Sequence, residues 1–173
     1  FDSGNTIYGF DQQQGDDPTS GEVAAGGPRR AAAALRWLSH EVTDDDVASL
    51  VAKLAQQGRQ AGPAWTEETL ITGLFEHLGL DAPRDEIVYV TGVFSGPRYS
   101  SWLYPGIAET LGELSRLGLF IGLIANTSVP GWVMDRNFRG VGLLDYLTVR
   151  IYSGDEGVEK PDPSIIRPAE RRA

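Results

Sequence analysis

Leu119-Phe120-Ile121-Gly122-Leu123-Ile124-Ala125-Asn126-Thr127-Ser128 decides how the chain is read. Seven residues without a polar side chain are followed at once by an amide and two hydroxyls. The apolar run is too short for a buried helix and is bounded by Gly118 and Asn126. It therefore predicts a strand buried on both faces, with its polar tail at the strand's C-terminal end.

The pattern extends in both directions. Upstream, Tyr104-Pro105-Gly106 precedes Ile107, Leu111, Leu114 and Leu117 at helical spacing, and Gly118 supplies a stop. Downstream, residues 130–139 read as a helix and residues 147–152 as a second apolar strand. That strand runs into Ser153-Gly154-Asp155-Glu156-Gly157-Val158-Glu159-Lys160-Pro161-Asp162-Pro163. Helix, strand, helix, strand predicts parallel crossover units in an α/β sheet, with the polar groups after successive strands meeting on one edge.

The N-terminal stretch Phe1-Asp2-Ser3-Gly4-Asn5-Thr6 has two readings. It is an ordinary Asp-Ser-Gly-Asn turn, or the end of a strand entering a tight loop that holds a carboxylate at the sheet edge. Residues 7–10 follow, and residues 11–27 read as a polar linker. The glycines there lack the preceding strand and following Lys of a phosphate-binding loop.

Three amphipathic helices come next. Residues 28–41 carry Ala32, Leu35 and Leu38. Thr43 caps a second helix with Asp44, Asp45 and Asp46 in its first turn, and Gln56-Gln57-Gly58 is read as its end. Thr66 caps a third, whose stripe is Leu70, Ile71, Leu74, Phe75 and Leu78, stopped at Gly79. Together they make a helical module over about residues 19–96. His40 reads as a cation near a helix C-terminus and His77 as a surface residue. Residues 85–94 are rich in strand formers, yet no turn pairs them with a neighbour; propensity leaves strand and helix both open.

Composition narrows the partners. With 15 basic against 24 acidic residues the net charge is -9, which argues against nucleic acid and against an anionic membrane surface. There is no Cys, hence no disulfide and no thiolate metal site. No apolar run is long enough to span a membrane. A cytoplasmic protein acting on a small molecule is the expectation. The only lysines are Lys53 and Lys160.

Four stretches together resemble the haloacid dehalogenase-like (HAD) hydrolase superfamily. Phe1-Asp2-x-x-x-Thr6 is similar to its nucleophile loop, and Tyr104-Pro105-Gly106 to the segment re-entering the core. Leu123-Ile124-Ala125-Asn126-Thr127 is similar to its second motif, and Gly157-Val158-Glu159-Lys160-Pro161-Asp162-Pro163 to its lysine motif. The resemblance implies an α/β fold with a Rossmann-like parallel sheet, helices on both faces, and an inserted all-helical cap. It assigns residues 1–14 and 100–173 to the core and 15–99 to the cap, and makes residues 85–94 the last cap helix.

It also implies a chemistry. Asp2 would attack phosphorus and form an aspartyl phosphate. Lys160 would supply compact positive charge beside it, where an Arg would fit differently. Asn126 and Thr127 would contact the phosphoryl group, Thr6 would brace the loop, and Asp2 with the Gly4 carbonyl would hold Mg²⁺. The implied substrate is a small phosphorylated metabolite.

Three departures bear on activity. Gly4 stands where family phosphatases carry a second Asp, the general acid/base, whose loss costs about 10²–10⁴ in rate. Ala125 stands where the second motif has a hydroxyl. The acidic motif completing the Mg²⁺ site would lie beyond Ala173, so the chain is expected to be a C-terminally shortened piece binding Mg²⁺ weakly. A 2-haloacid dehalogenase-type hydrolase and a catalytically inactive binding module are the alternatives. Oligomeric state is left open.

Overall fold

The computed structural model describes residues 1–9, 15–81 and 83–167. Residues 10–14 of the expected linker and residues 168–173 lie outside that description.

The helical module opens with an element that the sequence reading took for linker. Thr19 starts α1 (Ser20–Ala25) through a capping box: its hydroxyl accepts from the Glu22 N–H at 3.2 Å, and Glu22 Oε2 accepts from the Thr19 N–H at 2.8 Å. The signal Thr-x-x-Glu was present, hidden by the surrounding glycines. Then come α2 (Gly27–Trp37), α3 (Asp44–Ala61), α4 (Glu67–His77) and α5 (Arg84–Ser95).

Thr43 and Thr66 cap α3 and α4 as expected, accepting from the Asp46 and Thr69 N–H groups. α3 does not end at Gly58; it runs three residues further, to Ala61, before Gly62 at φ +80°. Gly58 serves close packing instead, since a Cβ there would lie 2.1 Å from Trp65 Cε2. Residues 85–94 fold as helix α5, as the resemblance implied. Val90 is fully buried against Leu35, Phe75 and their neighbours, so tertiary packing overrides the local β preference.

The two histidines end as polar ties. His40 Nε2 lies 3.0 Å from Glu86 Oε2, joining the end of α2 to α5, and His77 is exposed.

In the second half, α6 (Ile107–Arg116) leads into β1 (Gly122–Ala125), α7 (Gly131–Gly140) crosses over, and β2 (Val149–Tyr152) returns parallel to β1. Gly122 stands opposite Val149 and Ala125 opposite Tyr152. The short helix α8 (Ser153–Glu156) follows β2 directly. On the far edge of β1, the Phe1 nitrogen donates to Gly122 O at 2.7 Å and the Ile124 N–H donates to Phe1 O at 2.9 Å. That is the bonding of a parallel ladder flanking Leu123. Phe1 thus lies paired in parallel beside β1, the placement that the second of the two readings of the N-terminal hexamer expects.

β1 is half-buried rather than buried on both faces. Leu123 and Ala125 point into the main core with Leu111, Met134 and Phe138, while Ile124 joins a smaller cluster with Val149, Ile151 and Ile165. Leu119 and Phe120 precede the paired residues and are exposed, as is Leu117, because no described element packs over them. Fully burying a residue such as Leu123 or Phe138 contributes about 1.5–3 kcal/mol, so these contacts fix the sheet against α6 and α7. Val23 of α1 buries in this core as well, not among α2–α5, and Trp102 Nε1 donates to Pro18 O at 2.9 Å. Among the described residues no helix is long and apolar enough to cross a membrane.

Candidate active site

Phe1 and the C-terminal ends of β1 and β2 lie side by side, and the polar residues after each meet there. Asp2 follows Phe1. Its Oδ1 accepts from the Ser3 N–H at 2.7 Å and stands 2.9 Å from Lys160 Nζ. Lys160 is gripped twice by the end of β1. Its ammonium donates to Ile124 O at 2.8 Å. Its main chain exchanges two bonds with the Asn126 carboxamide, Nδ2 to Lys160 O at 2.9 Å and the Lys160 N–H to Oδ1 at 2.8 Å. Asp2, Asn126 and Lys160 are thus brought together from residues 158 apart in sequence.

The other expected site residues are placed differently. Gly4 makes a backbone bridge to Tyr8 that closes the loop after Asp2. Thr6 lies exposed on that loop, and among the described residues its hydroxyl bonds neither Asp2, Asn126 nor Lys160. Thr127 Oγ1 accepts from the Val129 N–H at 3.0 Å, a local turn bond. Both polar atoms of the Asn126 carboxamide are engaged with Lys160, where a phosphoryl contact was expected.

Ser153 was missed from sequence. It is 2% exposed; its Oγ accepts from the Thr127 N–H at 2.9 Å and donates to Thr127 O at 3.2 Å, tying the loop after β1 to the start of α8. Asp155 Oδ1 accepts from the Gly131 N–H at the start of α7, 3.1 Å away. Serine and Asp after a strand were visible, but nothing in their spacing set them apart from turn residues.

The helical module reaches this edge through α4. The Glu67 N–H donates to Ser128 O at 2.9 Å and Trp132 Nε1 donates to Glu68 Oε2 at 3.1 Å. Behind that contact the Glu67 carboxyl is buried, which pushes it above the usual carboxylate range; a hydroxyl donor, Ser95, and the Arg98 and Arg30 guanidiniums pull the other way. The largest cavity described, 850 Å³, opens between α3, α4 and the starts of α7 and α8, walled by Trp65 and Trp132. None of Asp2, Asn126 and Lys160 lines it. The Asp2–Lys160 carboxylate–ammonium pair lies outside that cavity.

A magnesium ion does not fit the described residues as a complete site. No three His, Cys, Asp or Glu side chains among them come together to hold a metal. Asp2 offers one carboxylate, and its Oδ1 already accepts from Ser3 and Lys160. A hard cation would have to draw most of its oxygen ligands from elsewhere.

With this geometry in place, known structures bear on the class. A HAD phosphatase from Thermococcus onnurineus superposes with a TM-score of 0.51 at 20% identity, over 99% of this chain and 68% of its own. The HAD-hydrolase YfnB from Bacillus subtilis, in a magnesium-bound crystal form that reveals interdomain movement, gives 0.52 at 17% identity, over 99% and 71%. No protein-family model matches the chain, and no curated protein matches it. At these identities the likeness establishes the fold: the chain has the haloacid dehalogenase-like fold, an α/β core with helices packed beside it. The particular activity is inferred from the site.

Proposed function

We propose that the chain carries the reactive groups of a HAD-like hydrolase acting on a small phosphorylated metabolite, with Asp2 as nucleophile. The observation that carries this reading is the Asp2–Lys160 pair at 2.9 Å on the C-terminal sheet edge. The two side chains are 45% and 34% exposed, so the pair adds only about 0–1 kcal/mol to stability. A lysine gripped by three bonds from the end of β1 is costly positioning for so little stabilisation. Its positioning makes sense as preorganised charge.

In the reading proposed, Asp2 Oδ2 attacks phosphorus as the ester P–O bond breaks, and the leaving oxygen takes its proton from water. A second water then attacks phosphorus, releasing phosphate and regenerating the Asp2 carboxylate. The Lys160 ammonium offsets charge on the phosphoryl oxygens. Asn126 acts through Lys160 as a positioning residue. Gly4 supplies no acid, so good leaving groups are favoured and rates are lower by about 10²–10⁴ than with a carboxyl at that place.

Hydrolysis of 4-nitrophenyl phosphate by the chain, beside Asp2→Asn and Lys160→Ala, tests the reading. Turnover lost in Asp2→Asn supports it. Turnover unchanged in Asp2→Asn refutes it. A second reading, an inactive binding module, is favoured by Gly4 and by the engaged Asn126 carboxamide; it expects phosphate binding without turnover. Chloride release from 2-chloropropionate without metal would instead point to the dehalogenase-type alternative.

A further inference from the structure

Away from the sheet edge, the C-terminus of α5 is held from two sides. Arg30 of α2 donates to Val93 O at 2.9 Å through Nε and to Phe94 O at 2.6 Å through Nη2. Arg136 of α7 donates to Gly96 O at 3.1 Å. Guanidiniums at a helix C-terminus satisfy its last carbonyls and complement its dipole. That role explains where these two side chains sit, and it leaves three further facts unexplained.

The first is charge. Arg30, Arg98, Arg136 and Asn137 line one cleft of 450 Å³, whose remaining described lining is glycine, Val93 and Pro97. No carboxylate lines it, in a chain with 24 acidic residues against 15 basic. Glu67 is the carboxylate that acts on Arg30 and Arg98, and it faces a neighbouring cavity of 340 Å³ instead. The second is donor capacity. An Arg has five N–H donors in a planar fork; Arg30 commits two of them to carbonyls and Arg136 one. The third is Asn137. It is 7% exposed and lines both cavities, and among the described residues its carboxamide makes no hydrogen bond, which leaves its polar atoms open to what enters the clefts.

We propose that this cleft is a second ligand site, binding a small oxyanion of the phosphate or carboxylate class between the end of α5 and α7. It shares no lining residue with Asp2, Asn126 or Lys160. Forked guanidiniums pair with either oxyanion through two parallel bonds, and the Asn137 amide group adds an uncharged donor at the cleft's inner wall. The volume suits a small molecule. Arg136 and Gly96 join the α/β part to the segment leaving the helical module, so an anion held here bears on the junction between the two.

The test is a titration of the ¹⁵N-labelled chain with inorganic pyrophosphate and, separately, with citrate, following the Asn137 side-chain amide and the Arg136 Nε–H signals. Both signals are expected to shift along saturating curves with at least one probe, and which probe does so decides the oxyanion class. The same curves are expected in the Asp2→Asn, Lys160→Ala double variant, so a failure of the proposed hydrolase reading does not affect the outcome. Arg136 is exposed, and Arg136→Gln leaves the fold intact while weakening binding about tenfold, the loss of one charge-assisted bond. Signals that never saturate with either probe would overturn the proposal. So would binding that disappears in the double variant, or an affinity that Arg136→Gln does not change.

Discussion

Ser153→Ala isolates the contact that joins the two strand ends beneath the candidate site. The hydroxyl is 2% exposed and closes two bonds to one residue, from the Thr127 N–H at 2.9 Å and to Thr127 O at 3.2 Å. Alanine fills nearly the same volume, so the change removes the bonds with little cavity. The Thr127 N–H is then left half-buried without a partner, at a cost of about 1–3 kcal/mol. For a chain of this size each kcal/mol moves the melting midpoint by about 2–4 °C, so the middle of the range corresponds to a drop of about 6 °C. Differential scanning calorimetry measures it directly. Ser115→Ala, exposed on α6, is the matched control and stays within about 0.5 kcal/mol. A Ser153→Ala midpoint indistinguishable from that of Ser115→Ala would refute the assignment of Ser153 as the tie between β1 and α8.

Three further outcomes follow from particular contacts. Gly58→Ala destabilises, because its Cβ would fall 2.1–2.5 Å from three Trp65 ring atoms and overpacking costs about 1–3 kcal/mol, more than the ~1 kcal/mol gained in helix propensity. Gly112→Ala, whose nearest neighbour atom is 3.7 Å away, stabilises by up to about 1 kcal/mol; urea titrations giving both variants the same sign would contradict this. Glu67 binds a proton more tightly folded than unfolded, because burial raises its carboxyl, so its contribution falls as pH rises from the ordinary carboxyl range through the folded pKa. Glu67→Gln removes that fall, and the melting midpoint of the variant relative to the parent rises as pH climbs above the ordinary carboxyl range; a constant difference would sink the reasoning.

The α/β half was legible because its signals are local and redundant. An apolar run ending in Asn126 marks a strand wherever it lies, and the Lys160 motif follows the second strand at a distance that only a crossover accommodates. The pairing of Asp2 with Lys160 was legible through the resemblance, since no local rule joins residues so far apart. What was lost depended on partners. Gly58 looks like a stop until Trp65 is laid on it. Residues 20–25 look like linker because glycine-rich composition outweighs one capping box. Leu117, Leu119 and Phe120 were assigned to a core by hydropathy alone, which does not say whether anything covers them. Ser153 needed the third dimension: a serine matters there only because two strand ends meet.

The Phe1 ladder has a kinetic consequence. β1 and β2 are joined by a crossover of 23 residues (126–148) and can pair once α7 forms, whereas Phe1 must be recruited to Gly122 across 121 residues of chain. Closing the longer loop costs more entropy, and contacts of such separation form late in folding. The carboxylate of Asp2 is delivered to Lys160 only when that closure is made. A chain in which α7, β1 and β2 have assembled but Phe1 has not docked would hold Lys160 with no carboxylate beside it. The Asp2–Lys160 pair thus forms only with that closure.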